Sequence, residues 1–406
     1  MHILIVNLFA VENIGPIGNA VIEFGDKVVI VGSNSSGKTI LSTAFYIMLT
    51  LGRAVIAPTM KLGSELTDEI RRLEEKGEIR MDLEIDAAKL INDNKQAIEE
   101  SLRNYIASVF GVNSVGELIR FGNGAGRIKL NGVSLYLDGD HVSMTVDNKS
   151  LKVLIPLEFI KVKDMPGCTS SYTNGKIVAV GRDTNCLGGL IAAIAVSNAV
   201  NAPEGWRNTA FISTERVAMG SLLPTISDLF VPPRAPRVLK PLALDYLRYI
   251  MPIKYKVEAI QGENIRDLQI EINYSSATML KAYLMGREVS PAMISTGVYQ
   301  AAVIDAVSKN PAIDSMIVEE PEINLHIDMQ LQIANYLAKL SKRLLITTHS
   351  EWIAMAMAHL LKRELKIYEI YNGELREVNI NEDGTIAQLK TVAPHERKFI
   401  EETLGD

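Results

Sequence analysis

The chain has 406 residues, more than one small core accommodates, so one large domain with insertions or two to three domains is expected. Hydrophobic residues make up 47% and charged residues 22%, which excludes a disordered chain, and a net charge of −6 excludes a surface uniformly coated in basic residues, though not a local patch. The two cysteines, Cys168 and Cys186, lie outside any CxxC pair; they exclude a disulfide framework, argue against structural zinc, and fit a reducing cytoplasm.

In chain order, residues 1–9, 20–24 and 27–31 are short β-type runs, and the first has neither the basic start nor the cleavage site of a signal peptide. From Thr39, "TILSTAFYIMLTLG" has helical period and ends at Gly52. Residues 61–120 are helical and charged around a strand-like "EIRMDLEID". Turn signals "NG", "DGD" and "DNK" then mark an antiparallel β-layer near 126–181. The uncharged stretch 184–202 approaches membrane-spanning length, but its asparagines and its short apolar part predict a buried helix at 186–200. A strand "TAFIS" follows, then a proline-broken helical arm over 217–256. From 268 onward, strands ("LQIEINY", "LKAYLM", "DSMIVEE", "RLLITTHS", "LKIYEIY", "LREVNI") alternate with helices at 297–308, 326–341 and 351–362. Such alternation predicts a parallel α/β sheet.

Four motifs carry chemistry. "GSNSSGKT" fits G-x-x-x-x-G-K-[ST] with Gly32, Gly37, Lys38 and Thr39, after a buried strand and before a helix, the context a phosphate loop needs. The amides of Gly32, Ser33, Asn34, Ser35, Ser36 and Gly37 then face phosphate oxygens, Lys38 reaches them as a point charge, and Thr39 ligates Mg2+. In "DSMIVEEPEINLH" an apolar strand runs into Glu319 and Glu320; paired carboxylates at a strand end call for a cation or a reacting water. Glu319 is the candidate metal contact and Glu320 the candidate general base, with Glu322 a weaker candidate beyond Pro321. His349, ending the next strand, is placed to sense a γ-phosphate. Ser295 and Gly297 open a helix and read either as a helix cap or as an S-x-G signature that binds a nucleotide held by a second subunit.

The order phosphate loop, signature, acid strand, histidine, with "SMIVEEPEINLH", "LLITTHS" and the opening "LFAVENIGPIG", resembles the ABC-type ATPase heads of the SMC and OLD families. It covers roughly 1–50 and 270–375. The resemblance implies an α/β P-loop NTPase fold, an ABC-ATPase-like two-lobed head with a mixed or parallel sheet, an antiparallel β-layer and helical insertions. The head is expected to be split over 1–60 and 205–406, with 61–204 inserted. It also implies ATP and Mg2+ as cofactors, hydrolysis with Glu320, His349 and Lys38 at the centre, and an ATP-dependent homodimer sandwiching two nucleotides. Arg216, in "FISTER", becomes a candidate for nucleotide or cross-dimer contact, with a plain surface arginine as the equal alternative.

Several departures narrow the expectation. The segment 217–256 cannot supply a long coiled-coil arm. The stretch after "IYEIYNG" is too short for a Toprim nuclease. A transporter's longer signature is missing. The expected activity is a soluble Mg-dependent ATPase switch acting on a partner protein, such as a nuclease or other effector, or on nucleic acid. The alternatives are a non-catalytic nucleotide-binding module and a DNA-associated ATPase of defence or repair. For the last, Arg234, Arg237, Lys240, Arg248, Lys254 and Lys256, interleaved with Tyr246, Tyr249 and Tyr255, form the candidate basic-aromatic segment, set against the usual meaning of a solvated charged face.

Overall fold

The computed structural model describes residues 7–54, 67–68, 70, 78–147, 151–165, 167–173, 175–184, 186–216, 242, 245, 249, 254–261, 267–272, 280–290 and 293–390. The first part of the chain runs β1 (Leu8–Ile14), β2 (Ile17–Glu23), β3 (Lys27–Gly32), α1 (Lys38–Ala54), β4 (Glu78–Asp86), α2 (Ala87–Asp93), α3 (Lys95–Phe110), β5 (Ala125–Leu130), β6 (Val133–Asp138), β7 (His141–Val146), β8 (Lys152–Lys161), β9 (Cys168–Thr173), β10 (Lys176–Gly181) and α4 (Leu187–Val200). The second part runs β11 (Thr209–Ile212), β12 (Lys254–Lys256), β13 (Gln269–Ile272), β14 (Leu280–Leu284), β15 (Arg287–Val289), α5 (Thr296–Ser308), β16 (Ser315–Glu319), α6 (Ile327–Lys339), β17 (Arg343–Thr348), α7 (Glu351–Leu361), β18 (Leu365–Tyr371) and β19 (Glu374–Val378).

An 11-stranded sheet in the order β11-β16-β17-β3-β18-β19-β2-β1-β5-β6-β7 organises the molecule. Strands β11, β16, β17, β3 and β18 are mutually parallel, as the strand-helix alternation predicts for "DSMIVEE", "RLLITTHS" and "LKIYEIY". The same expectation is corrected for "LQIEINY" and "LKAYLM", which form a separate antiparallel sheet with β12 and β15, and for "LREVNI", which runs antiparallel to β18. The near-continuous apolar runs of the parallel strands, such as "KVVIVG" with every residue buried, are what a sheet covered on both faces requires. Alternate residues of β3 enter opposite cores. Val28 and Ile30 join the core under α1 and α4; Val29 and Val31 join the core under α5, α6 and α7.

The sequence expectation of an antiparallel layer over 126–181 is corrected. Strands β5–β7 pair through β1 and extend the main sheet, while β4, β8, β10 and β9 make a separate four-stranded sheet. Helices α3 and α4 share the core of α1. Turn signals give hairpins; they do not say which sheet a hairpin joins. The first strand also starts later than the 1–9 run suggests, at Leu8, and keeps its alternation through Ile14 with Phe9, Val11 and Ile14 buried.

The uncharged stretch forms the buried helix α4, and no helix among the described residues is long and apolar enough to cross a membrane. Cys168 at the start of β9 and Cys186 at the N-cap of α4 form a disulfide, their Cα atoms 5.4 Å apart. This corrects the exclusion of a disulfide: a spacing of 18 residues carries no pairing signal until β9 is laid beside β10. Most of the arm expected over 217–256 lies outside the described residues.

Candidate functional site

The predicted phosphate loop joins β3, at the centre of the parallel strands, to the N-terminus of α1. Ser33, Asn34 and Ser35 are exposed at its crest. Two residues take left-handed backbone, Ser35 at φ 60° and Gly37 at φ 108°, so the chain doubles back over the helix end. A side chain at Gly37 would also strike Ile17, whose Cδ1 lies 2.4 Å from where a Cβ would stand. The first amides of α1 have no intrahelical acceptors and carry the positive end of the helix dipole. Lys38 is buried, and its Nζ donates to the carbonyls of Gly32 (2.9 Å) and Ser33 (3.0 Å). Burial lowers its amine to about 8, against the pull of Glu320, Glu322 and Glu319.

The acid strand end meets this loop. Strand β16 lies one strand from β3, separated by β17, and all three point their C-terminal ends the same way. That edge, outside the carboxyl ends of parallel strands, is where open α/β sheets place ligands. Glu319 is fully buried; its Oε1 accepts the Ser42 hydroxyl at 2.7 Å, while Ser42 also reaches the Thr39 carbonyl at 3.0 Å. Burial pushes the Glu319 carboxyl up to about 7, so its charge is unfavourable unless a cation arrives. Glu320 Oε1 stands 3.0 Å from His349 Nε2, and that hydrogen bond, with His349, Lys38 and Arg216 nearby, holds Glu320 below the usual carboxylate range. Lys38 Nζ is 3.2 Å from His349 Nδ1 and 3.1 Å from Nε2, so it faces the ring between its two nitrogens. Lys38, His349 and Glu320, distant in sequence, therefore lie in one line of contacts.

Arg216 is placed differently from its expected nucleotide or cross-dimer contact, and differently from a surface arginine. It is fully buried beneath the acid strand end, donating to the carbonyls of Ser213 (2.9 Å), Glu319 (2.6 Å) and Glu320 (2.7 Å). Ser295 is exposed and caps α5, its Oγ accepting the Val298 amide at 3.5 Å. Gly297 is buried against the loop that follows Glu320: a Cβ there would lie 2.2 Å from the Asn324 carbonyl oxygen. The structure thus gathers Lys38, Glu319, Glu320 and His349, and seats Gly297 on the acid-strand loop.

In the basic-aromatic segment, Arg234, Arg237, Lys240, Tyr246 and Arg248 lie outside the described residues. Tyr249, Lys254 and Lys256 make contacts within the chain. Tyr46 donates to buried Asp245, Arg53 donates to Tyr249 at 3.0 Å, Lys254 sits over the Tyr283 ring and Lys256 pairs with Asp267.

Two site residues were under-read or missed in the sequence. Glu322 is buried and accepts from the Thr348 hydroxyl (2.8 Å) and the His349 amide (2.7 Å), fixing the strand end that carries the histidine. Ser42 links Thr39 to Glu319; its only sequence signal is its place one helical turn after the loop.

Loop, sheet order and acid strand together form one candidate nucleotide site at the carboxyl ends of the parallel strands. Residues 255–354 match the family model described as AAA ATPase domain. Three solved structures are similar at low identity. The Smc head bound to the C-winged helix domain of ScpA is 12% identical, covering 96% of this chain and 99% of that one, TM-score 0.44. The Smc head with an extended coiled coil bound to the C-terminal domain of ScpA, derived from Pyrococcus furiosus, is 12% identical, covering 98% of each chain, TM-score 0.41. The SMC head domain from Thermotoga maritima is 11% identical, covering 93% of this chain and 99% of that one, TM-score 0.36. No curated protein matches the chain.

Proposed function

We propose that this chain binds Mg·ATP on the 32–39 loop and hydrolyses it, with Glu320 as general base. The observation that carries the reading is the line Lys38–His349–Glu320 at the carboxyl end of the parallel strands. A triphosphate on the loop amides meets Lys38 first. Its γ-phosphate competes with His349 for the ammonium, and the histidine then reports whether that phosphate is present. Glu320, freed from His349, accepts a proton from the attacking water.

The residues fit a divalent cation shared with phosphates. Among the described residues no cluster of three or more His, Cys, Asp or Glu could hold a metal. Mg2+ needs few protein ligands when phosphate oxygens and waters complete its shell. Thr39 and the buried Glu319, linked through Ser42, would hold it. When bound, the ion supplies charge neutralisation at the β and γ oxygens. Ser36 Oγ, buried in the loop without a partner in the structure, is a further donor suited to a phosphate.

The exposed cap at Ser295 and Thr296, leading into the buried Gly297, supports a second role. The N-terminus of α5 is open to a nucleotide held by another copy, giving an ATP-dependent homodimer that acts as a switch on a partner protein or nucleic acid. The test is ATP turnover and solution mass for wild type and Glu320→Gln, with and without Mg·ATP. Removing the base should slow turnover by roughly 10²–10⁴-fold and leave ATP-bound dimers to accumulate. Unchanged turnover in Glu320→Gln removes Glu320 as the base; a monomer under every condition removes the dimer.

A further inference from the structure

We propose that Arg216 is a positioning residue that sets the backbone of the acid pair and so aims Glu320. The proposal rests on the reading of Glu320 as general base and adds what holds that base in place. The ladder between β11 and β16 ends at the pair Ile212–Val318. The β11 chain then turns at Ser213, where the Arg216 amide bonds back to the Ser213 carbonyl. Beyond that point the Thr214 amide goes to the Glu319 carboxylate, and the Arg216 guanidinium takes the backbone carbonyls. One of its nitrogens, Nη1, spans Ser213 O and Glu319 O; the other, Nη2, takes Glu320 O. In effect the side chain continues the ladder by two residues.

That continuation matters because Glu320 is held in an unfavourable backbone state. Its φ is 42°, left-handed for a non-glycine residue, and Pro321 follows it. Residues before proline are driven toward extended backbone, so nothing local favours this turn. Such conformations persist only where the surroundings over-determine them. Here the Glu320 amide donates to Thr347 O at 2.8 Å and its carbonyl is gripped by Arg216, so both ends of the peptide unit are fixed. The turn redirects the chain at the end of β16. Glu319 stays inward on Ser42, while Glu320 swings to His349. A guanidinium suits the task because its donors lie in one rigid plane and reach three carbonyls from two separate nitrogens, whereas an ammonium is a single point on a flexible stem that leaves their relative placement less fixed. Full burial of this cation is balanced by three carbonyls and by the adjacent carboxylates.

The test compares Arg216→Lys and Arg216→Ala with wild type for ATP affinity, kcat and unfolding midpoint, and repeats Arg216→Lys in the Glu320→Gln background. Arg216→Lys keeps the charge and is the variant carried forward if the alanine does not fold. The expected result is a kcat loss of roughly 10²-fold with ATP affinity within about threefold. In the Glu320→Gln background the lysine should cost almost nothing more, because residues acting as one unit do not add. Wild-type kcat in folded Arg216→Lys overturns the proposal, as does a full multiplicative loss in the double variant. A loss of kcat and ATP affinity together, in step with the unfolding midpoint, marks a merely structural residue and also overturns it. Turnover surviving in Glu320→Gln instead defeats the reading of the base, independently of Arg216.

Discussion

Replacing Gly297 with alanine tests how α5 is seated on the loop that follows the base. The added Cβ would lie 2.2 Å from Asn324 O, 2.9 Å from Asn324 C and 2.9 Å from Leu325 Cδ2, where ordinary contact begins at 3.4 Å. The closest neighbour is backbone, so no rotamer change relieves the clash; helix or loop must move by about an ångström. Overpacking of this kind costs about 1–3 kcal/mol. Alanine gains up to about 1 kcal/mol of helix propensity over glycine in a helix interior, and less in the first turn. The clash wins, and Gly297→Ala should lose about 1–2 kcal/mol in urea unfolding with an unchanged m-value. The displaced loop runs from Glu320, at φ 42°, through Asn324, at φ 57°, so kcat should fall along with stability. An unfolding midpoint and kcat both equal to wild type would refute the packing of α5 against 320–325 and the reasoning built on it.

Two further outcomes follow from other parts of the fold. Thiol labelling of denatured, unreduced protein should find no free cysteine and find two after reduction; reduction should cost about 3 kcal/mol for a loop of this size, and labelling without reductant would refute the pair. Lys27 is buried at the start of β3, where its Nζ donates to Leu340 O at 2.6 Å, and burial lowers its amine to about 8 from the ordinary 10.5. Between those values the unfolded chain holds the proton more firmly than the folded one. Stability relative to Lys27→Met should therefore rise with pH from about 8 to 10.5, read from urea midpoints; a flat difference would refute the shift.

The sequence by itself determined the parts whose chemistry is local. "VVIV" before "GSNSSGKT" and "TILSTAFYIML" after it specify strand, loop and helix, because glycine backbone freedom and helical period are properties of neighbouring residues. The helix-strand alternation from 297 on likewise specified the parallel strands β16, β17 and β18, and with them the edge where Glu320 and His349 end, whereas the strands at 269–284 pair antiparallel in a sheet of their own. Arg216 was legible only as a residue at a strand end. Its burial under Glu319 and Glu320 depends on β11 stopping at Ile212 beside a strand over a hundred positions away, and no sequence period encodes that. The same holds for Glu322 under His349, for Cys168 beside Cys186, and for β5–β7 joining β1. Each is a pairing across the sheet, set by register and by which faces the two cores bury. Such contacts belong to the packed molecule because loop closure and burial select them jointly, after the local elements have formed.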